Sequence, residues 1–115
     1  MAGWKLTVRH GSAVSRERYE DLGEALSELR RRAEEIRAEG PLERTSALRD
    51  FEPGDQVAAR LEISGKGLLR PPTAGVDVKG DGAIVPFAGG IRREELAGGG
   101  EDPFAAIRAA LEDRR

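Results

Sequence analysis

DLGEALSELRRRAEEIRAE, residues 21–39, is the stretch that decides the fold. Asp21 followed by Glu24 predicts a capping box at the start of a helix, and Gly40-Pro41 predicts its end. The apolar residues between these signals recur every three or four positions and share one stripe of the helix: Leu22, Leu26, Leu29, Ala33 and Ile36. We therefore predict one long amphipathic helix over residues 21–39.

The opposite face of this helix is charged, with acidic and basic residues at helical spacing. Each i,i+4 ion pair stabilises an exposed helix by about 0.2–0.5 kcal/mol. The apolar stripe also fits a coiled-coil dimer, but it lasts only about two heptads, so we expect the helix to pack on the chain's own sheet. The predicted pairs are Glu28 with Arg32, Arg30 with Glu34 and Arg31 with Glu35.

Strand patterns flank the helix on both sides. Apolar and polar residues alternate over residues 4–9 and again after the turn His10-Gly11-Ser12, which predicts an antiparallel hairpin over residues 4–19. Arg16 and Arg18 then share the solvent face of this hairpin. Apolar and polar residues alternate most clearly over residues 56–64, which predicts a strand. The predicted core sets the helix stripe against Trp4, Leu6, Val8, Val57, Leu61 and Ile63.

The remaining segments complete the order of elements. Gly80-Asp81-Gly82 is a strong hairpin signal within the strand region 56–88, and Pro86 predicts a sheet edge or a bulge in the second arm. Residues 91–96 fit a short strand or one helical turn. Asp102-Pro103 begins a predicted C-terminal helix over residues 102–113. The order β-β-α-β-β-β-α predicts a single α+β domain, residues 1–115, with a mainly antiparallel sheet and a linker at 40–55.

Composition excludes several classes of chemistry. The chain has no Cys and one His, which excludes disulfides, thiolate metal sites and sites that need two imidazoles. A net charge of -2 excludes a global basic field. The apolar runs are far shorter than the ~20 residues of a membrane span, and no signal core follows the first residues, so we predict a cytoplasmic protein without membrane contact.

No motif predicts a cofactor or a metal. Gly65-Lys66-Gly67 lacks the spacing of a P-loop and is interpreted as a hairpin turn. The stretch 77–82 begins like a calcium loop, but Lys79 takes a ligand position and Ala88 stands where the bidentate acid belongs. We expect His10 to be an exposed turn residue.

An enzyme is the least favoured of three functional hypotheses. Glu62, Asp77 and Asp81 could supply paired carboxylates if their strands were neighbours. No serine has a glycine elbow around it, and His10 is the only imidazole base. The prediction is that the protein is not an enzyme.

A domain that contacts RNA or DNA is the second hypothesis. It relies on two arginine clusters, Arg30 to Arg32 on the helix and Arg92-Arg93 near the last strand. Each helix arginine has acidic neighbours at helical spacing, which favours a solvated, charge-paired face over a nucleic-acid contact.

Several segments together resemble a family of small proteins of GC-rich bacteria that has no assigned function. They are the turn at 51–54, the strand at 59–64, the stretch at 76–82 and the segment at 91–96. The resemblance implies no activity, ligand or catalytic residue for this chain.

The leading hypothesis is a non-enzymatic binding module that uses a sheet edge or loops. Two segments rich in Gly and Pro adjoin predicted strands, and such loops often carry binding residues. The expected partner is another protein or a second copy of the chain. The candidate contact residues are Arg70, Pro71, Pro72, Phe87, Ile91, Arg92 and Arg93.

Overall fold

The computed structural model describes residues 3–39, 57–65, 72–89, 94–95 and 102–112. The described elements follow the predicted order, with one additional two-residue strand within the segment 91–96. They are β1 (Trp4–His10), β2 (Ala13–Tyr19), α1 (Leu22–Arg37), β3 (Val57–Gly65), β4 (Thr73–Lys79), β5 (Ile84–Ala88), β6 (Glu94–Glu95) and α2 (Pro103–Glu112). The predicted linker at 40–55 lies outside the described residues.

The strands form one antiparallel sheet in the order β2-β1-β3-β4-β5-β6. The α+β class is therefore confirmed. β3 lies beside β1, so the hairpin of β1 and β2 leaves β2 at the outer edge. Pro86 pairs with Val76, while β6 pairs only with Phe87 and Ala88. Pro86 thus lies where β5 has a described neighbour on one side only, as a residue without a backbone N–H requires.

The predicted long helix is not confirmed, because α1 has 16 residues. Asp21 is not part of the helix; it is the N-cap in an extended conformation, and its carboxylate accepts a hydrogen bond from the Glu24 N–H at 3.1 Å. Ala38 is the C-cap. The buried face of α1 consists of Ala25, Leu26, Leu29, Ala33 and Ile36.

Both helices contribute to a single core on one face of the sheet. Ile107 and Leu111 of α2 are buried in it, and Asp102 caps α2 by accepting from the Phe104 and Ala105 N–H groups at 3.0 and 3.3 Å. The strand residues of the core are Leu6, Val8, Ala59, Leu61, Ile63, Ala74, Val76 and Val78. Within the described ranges, no helix is long and apolar enough to cross a membrane.

The predicted core position of Val57 is wrong. Val57 is 43% exposed. The register between β3 and β4 shifts between Val57 and Ala59, so strict alternation fails at this end of β3. The core begins instead at Ala59, which is buried opposite Val78.

Candidate functional site

The second face of the sheet carries neither of the described helices. We call it the open face. Strand alternation places the core residues on one side and their chain neighbours on the other. Cross-strand rows then follow from the register. One row joins Arg18, Lys5, Ser64 and Thr73; the next joins Arg16, Thr7, Glu62, Gly75 and Phe87; the third joins Val14, Arg9, Arg60, Asp77 and Val85.

Four cations gather at the β2 end of the open face, and we call them the basic patch: Lys5, Arg9, Arg16 and Arg18. The three arginines are exposed and Lys5 is half-buried. Within the described part of the chain, none of the four has an ion pair or a side-chain hydrogen bond. Lys5 lies directly opposite Arg18, and like charges in that position destabilise a sheet. Among the described residues, this surface thus carries positive charge without ion-pair partners.

The middle of the open face is organised differently, around one ion pair. Arg60 donates to both carboxylate oxygens of Asp77, at 2.6 and 2.9 Å, and this hydrogen bonding raises the pKa of Arg60. The Arg60 guanidinium carbon also lies 5.5 Å from the centre of the Phe87 ring. Phe87 is 3% exposed and lies opposite Gly75, on the face of the sheet away from the core cluster. Arg60 and Asp77 therefore bind each other within the sheet.

The basic patch adjoins a regular edge strand. β2 has seven residues and pairs with β1 on one side, and no described strand pairs with its other side. Gly11, with φ 64, stands first in the two-residue turn, as a type II′ hairpin requires. The flanking His10 and Ala13 then form a hydrogen-bonded pair, so alternate residues of β2 point their N–H and C=O groups outward. Those residues are Val14, Arg16 and Arg18.

The arginine cluster of α1 is largely occupied by neighbouring carboxylates. Arg31 lies 2.6 Å from Glu28 and 3.4 Å from Glu35, and the hydrogen bond from Arg31 lowers the pKa of Glu28. The predicted pair of Glu28 with Arg32 is therefore wrong, because Arg31 at i+3 takes the carboxylate. The other predicted pairs, Arg30 with Glu34 at 3.6 Å and Arg31 with Glu35, are present.

A shallow groove of about 240 Å³ lies between α1 and α2. Arg30 lines it and stacks over Phe104, with 5.2 Å between the guanidinium carbon and the ring centre. Arg108 also lines it and binds Glu112 at 3.2 Å. Both groove arginines thus have carboxylate partners within their own helix, and Asp102 occupies the amide groups at the start of α2.

The predicted contact residues are only partly within the described chain. Arg70, Pro71, Ile91, Arg92 and Arg93 lie outside it. Pro72 is half-buried, and its carbonyl accepts a hydrogen bond from the Gly65 N–H at 2.8 Å, which closes the connection between β3 and β4. Phe87 is the enclosed ring beneath Arg60. Sequence reasoning missed the basic patch as a site, although Arg16 and Arg18 at i,i+2 were its signal.

The predicted acidic residues are placed in different surroundings. Asp77 is held by Arg60, and Asp81 in the turn after β4 accepts from the Ala83 N–H at 3.0 Å. Glu62 shares the open face with Asp77, one row away. His10 ends β1 and is not a turn residue, and its Nε2 lies 3.5 Å from Glu39 Oε1. Among the described residues, no three acidic or histidine side chains are grouped to hold a metal.

Comparisons with known proteins identify no relative of this chain. No protein-family model matches the chain, and neither a curated protein nor a solved structure matches it significantly. What this chain does is therefore inferred from its own surface, and the basic patch beside the edge of β2 is the candidate site.

Proposed function

We propose that this protein is a non-catalytic binding module that takes up an extended segment of a partner protein at the edge of β2. A single observation carries the proposal: β2 is a regular seven-residue strand, and within the described residues no strand pairs with its outer edge. Such an edge presents a row of backbone donors and acceptors, and an incoming strand can satisfy them all.

The side chains at this edge support a binding role over a purely structural one. In the part of the chain that the structure describes, the side chains of Arg16, Arg18, Lys5 and Arg9 have no ion pair or hydrogen bond that a partner would have to displace. Arg30 of α1 and Arg108 of α2, which line the groove, differ from the basic patch because each is already paired with a carboxylate.

The acidic residues support a binding role over a catalytic one. Asp77 and Asp81 each accept hydrogen bonds within their own strand pair or turn. A general acid or base must exchange its proton with a substrate, and an arginine-bound carboxylate at 2.6 Å is poorly suited to that task.

The test separates the contribution of the β2 backbone to binding from the contribution of the Arg16 charge. Random peptides displayed on phage are selected on the immobilised protein, and the affinity of each binder is measured for wild type, Arg16→Gln and Arg16→Pro. Both variants lose the charge, but only proline loses the outward N–H of β2, and an edge strand tolerates proline. We expect binders to shift backbone amide resonances of β2 and to bind Arg16→Pro about tenfold more weakly than Arg16→Gln.

Equal affinities for the two Arg16 variants would overturn the proposal, as would selected peptides that shift only resonances of α1 and α2. Far-ultraviolet circular dichroism checks that each variant keeps the fold.

A further inference from the structure

We infer that the segment bound at β2 is acidic, with carboxylates at alternate positions. This inference rests on the proposed function and specifies the chemical class of the partner. The basic patch lies beside the edge of β2 that pairs with no described strand, and together they determine which added strand fits.

The register fixes where the acidic side chains must stand. Val14, Arg16 and Arg18 direct their backbone groups outward and their side chains to the open face. A residue of an added strand directly opposite one of them has its side chain on that same face, with Cβ atoms about 4.5–5.5 Å apart. Carboxylates at positions i and i+2 of the added strand therefore meet Arg16 and Arg18. On β1, Lys5 lies next to Arg18 in the same row, and Arg9 lies next to Val14. These two residues extend the positive charge from the edge strand towards the middle of the sheet.

A second copy of the chain is a poor occupant of this edge. If two β2 strands paired about a twofold axis perpendicular to the sheet, the open faces would lie on the same side. The central registers then place Arg16 opposite Arg16, opposite Arg18 or opposite Val14, and the first two of these bring arginines into direct opposition. Like charges in direct opposition destabilise a strand pair, whereas carboxylates there stabilise it.

A nucleic acid could also supply negative charge, but it fits the surroundings less well. Single strands are held by aromatic side chains on which bases stack. Of the described aromatic residues, Trp4, Tyr19 and Phe104 pack against the core on the other face, and Phe87 is buried beneath Arg60. A nucleic acid would also leave the outward backbone groups of β2 without a matching strand. An acidic peptide engages both the edge and the patch.

The experiment uses capped peptides of defined sequence and the complete chain. One peptide alternates Thr and Glu, a second carries Gln in place of each Glu, and a third carries Lys. Binding is followed by amide chemical shifts at low salt, and an oligothymidylate is titrated in parallel. We expect the Glu peptide to shift resonances of residues 13–19 and to bind at least about tenfold more tightly than the Gln peptide. Added salt reduces this difference.

Two variants assign the effect to the patch. Arg16→Gln combined with Arg18→Gln should abolish the preference for Glu over Gln. Arg108→Gln removes an exposed arginine of α2, outside the open face, and should leave the preference intact. Both sites are on the surface, so neither variant is expected to unfold the chain.

The outcomes separate this inference from the proposed function. If the Gln and Glu peptides bind β2 equally, the acidic partner is refuted while strand addition stands. If no peptide shifts β2, both are refuted. Tighter binding of oligothymidylate than of the Glu peptide, lost in the double Arg16 and Arg18 variant, overturns the inference in favour of a nucleic acid.

Discussion

At the scale of single residues, Gly75 shows how closely β3 and β4 are joined. A Cβ added there would collide with the backbone carbonyl oxygen of Leu61 and lie 2.8 Å from the Glu62 Cα. A neighbouring strand cannot move aside as the end of a flexible side chain can. We predict that Gly75→Ala lowers the free energy of unfolding by about 1–3 kcal/mol, measured by urea denaturation.

Gly3→Ala is the matched control for this substitution. Nothing lies within 4 Å of a Cβ at Gly3, so its effect should stay within about 0.5 kcal/mol. A stable Gly75→Ala protein with an unchanged urea midpoint would show that the two strands can separate without cost.

Tyr19 is the single tyrosine of the chain, which makes its ionisation directly visible. Burial, followed by the hydrogen bond that its OH donates to Glu17 at 2.8 Å, raises its pKa from 10.0 to about 12. The raised pKa stabilises the fold fully below pH 10, and this contribution is lost as the pH rises from about 10 to about 12.

We predict that a spectrophotometric titration finds the phenolate forming at about pH 12 in the folded protein. Glu17→Gln removes the nearby negative charge and should lower the pKa of Tyr19, which stays above its ordinary value because burial persists. Glu34→Gln on the exposed face of α1 is the control and should not move it. An unshifted pKa in Glu17→Gln would remove Glu17 from the explanation.

At the scale of elements, the pairing of β3 with β4 depends on a side-chain contact as well as on the backbone. Arg60 and Asp77 are half-buried, directly opposite each other, and joined by two hydrogen bonds. We predict that Asp77→Asn lowers the free energy of unfolding by about 1–3 kcal/mol, because Arg60 loses its charged partner over the Phe87 ring. Urea denaturation measures the loss.

The ion pair of Arg108 with Glu112 provides the comparison, since both side chains are more than half exposed. Glu112→Gln should change the unfolding free energy by less than about 0.5 kcal/mol. If both substitutions cost the same, the half-buried position of the Arg60 pair has no energetic consequence.

The elements themselves could be predicted because their signals are local. Asp21 and Asp102 lie where helix caps were expected, and Gly82, with φ 94, lies in the turn that Asp-Gly predicts. The bulge that exposes Val57 could not be predicted, because it arises from the register with β4. The predicted helix over residues 21–39 is longer than α1 because it includes both caps, Asp21 and Ala38.

The candidate site could not be predicted for a related reason. The sequence shows Arg16 and Arg18 on the solvent side of a hairpin, which describes many exposed arginines. Their significance depends on β3 pairing with β1, a contact between distant segments that leaves β2 at the edge. A contact of that kind has no local signal in a single sequence.

At the scale of the whole molecule, an edge strand such as β2, which has a described partner on one side only, is a risk, because edge strands pair with one another. Charge on the edge strand is one protection, and Arg16 and Arg18 supply it here. We predict that the wild-type chain is monomeric, whereas Arg16→Thr combined with Arg18→Thr self-associates with rising concentration. Light scattering after size-exclusion chromatography measures the mass.

Lys5→Thr combined with Arg9→Thr is the control, since it also removes two positive charges from the open face. Those residues lie on β1, which is paired on both sides, so this variant should stay monomeric. If both double variants associate equally, general charge loss and not the edge is the cause. Association of the β2 variant alone would mean that Arg16 and Arg18 keep the edge of β2 from pairing with a second copy of the chain.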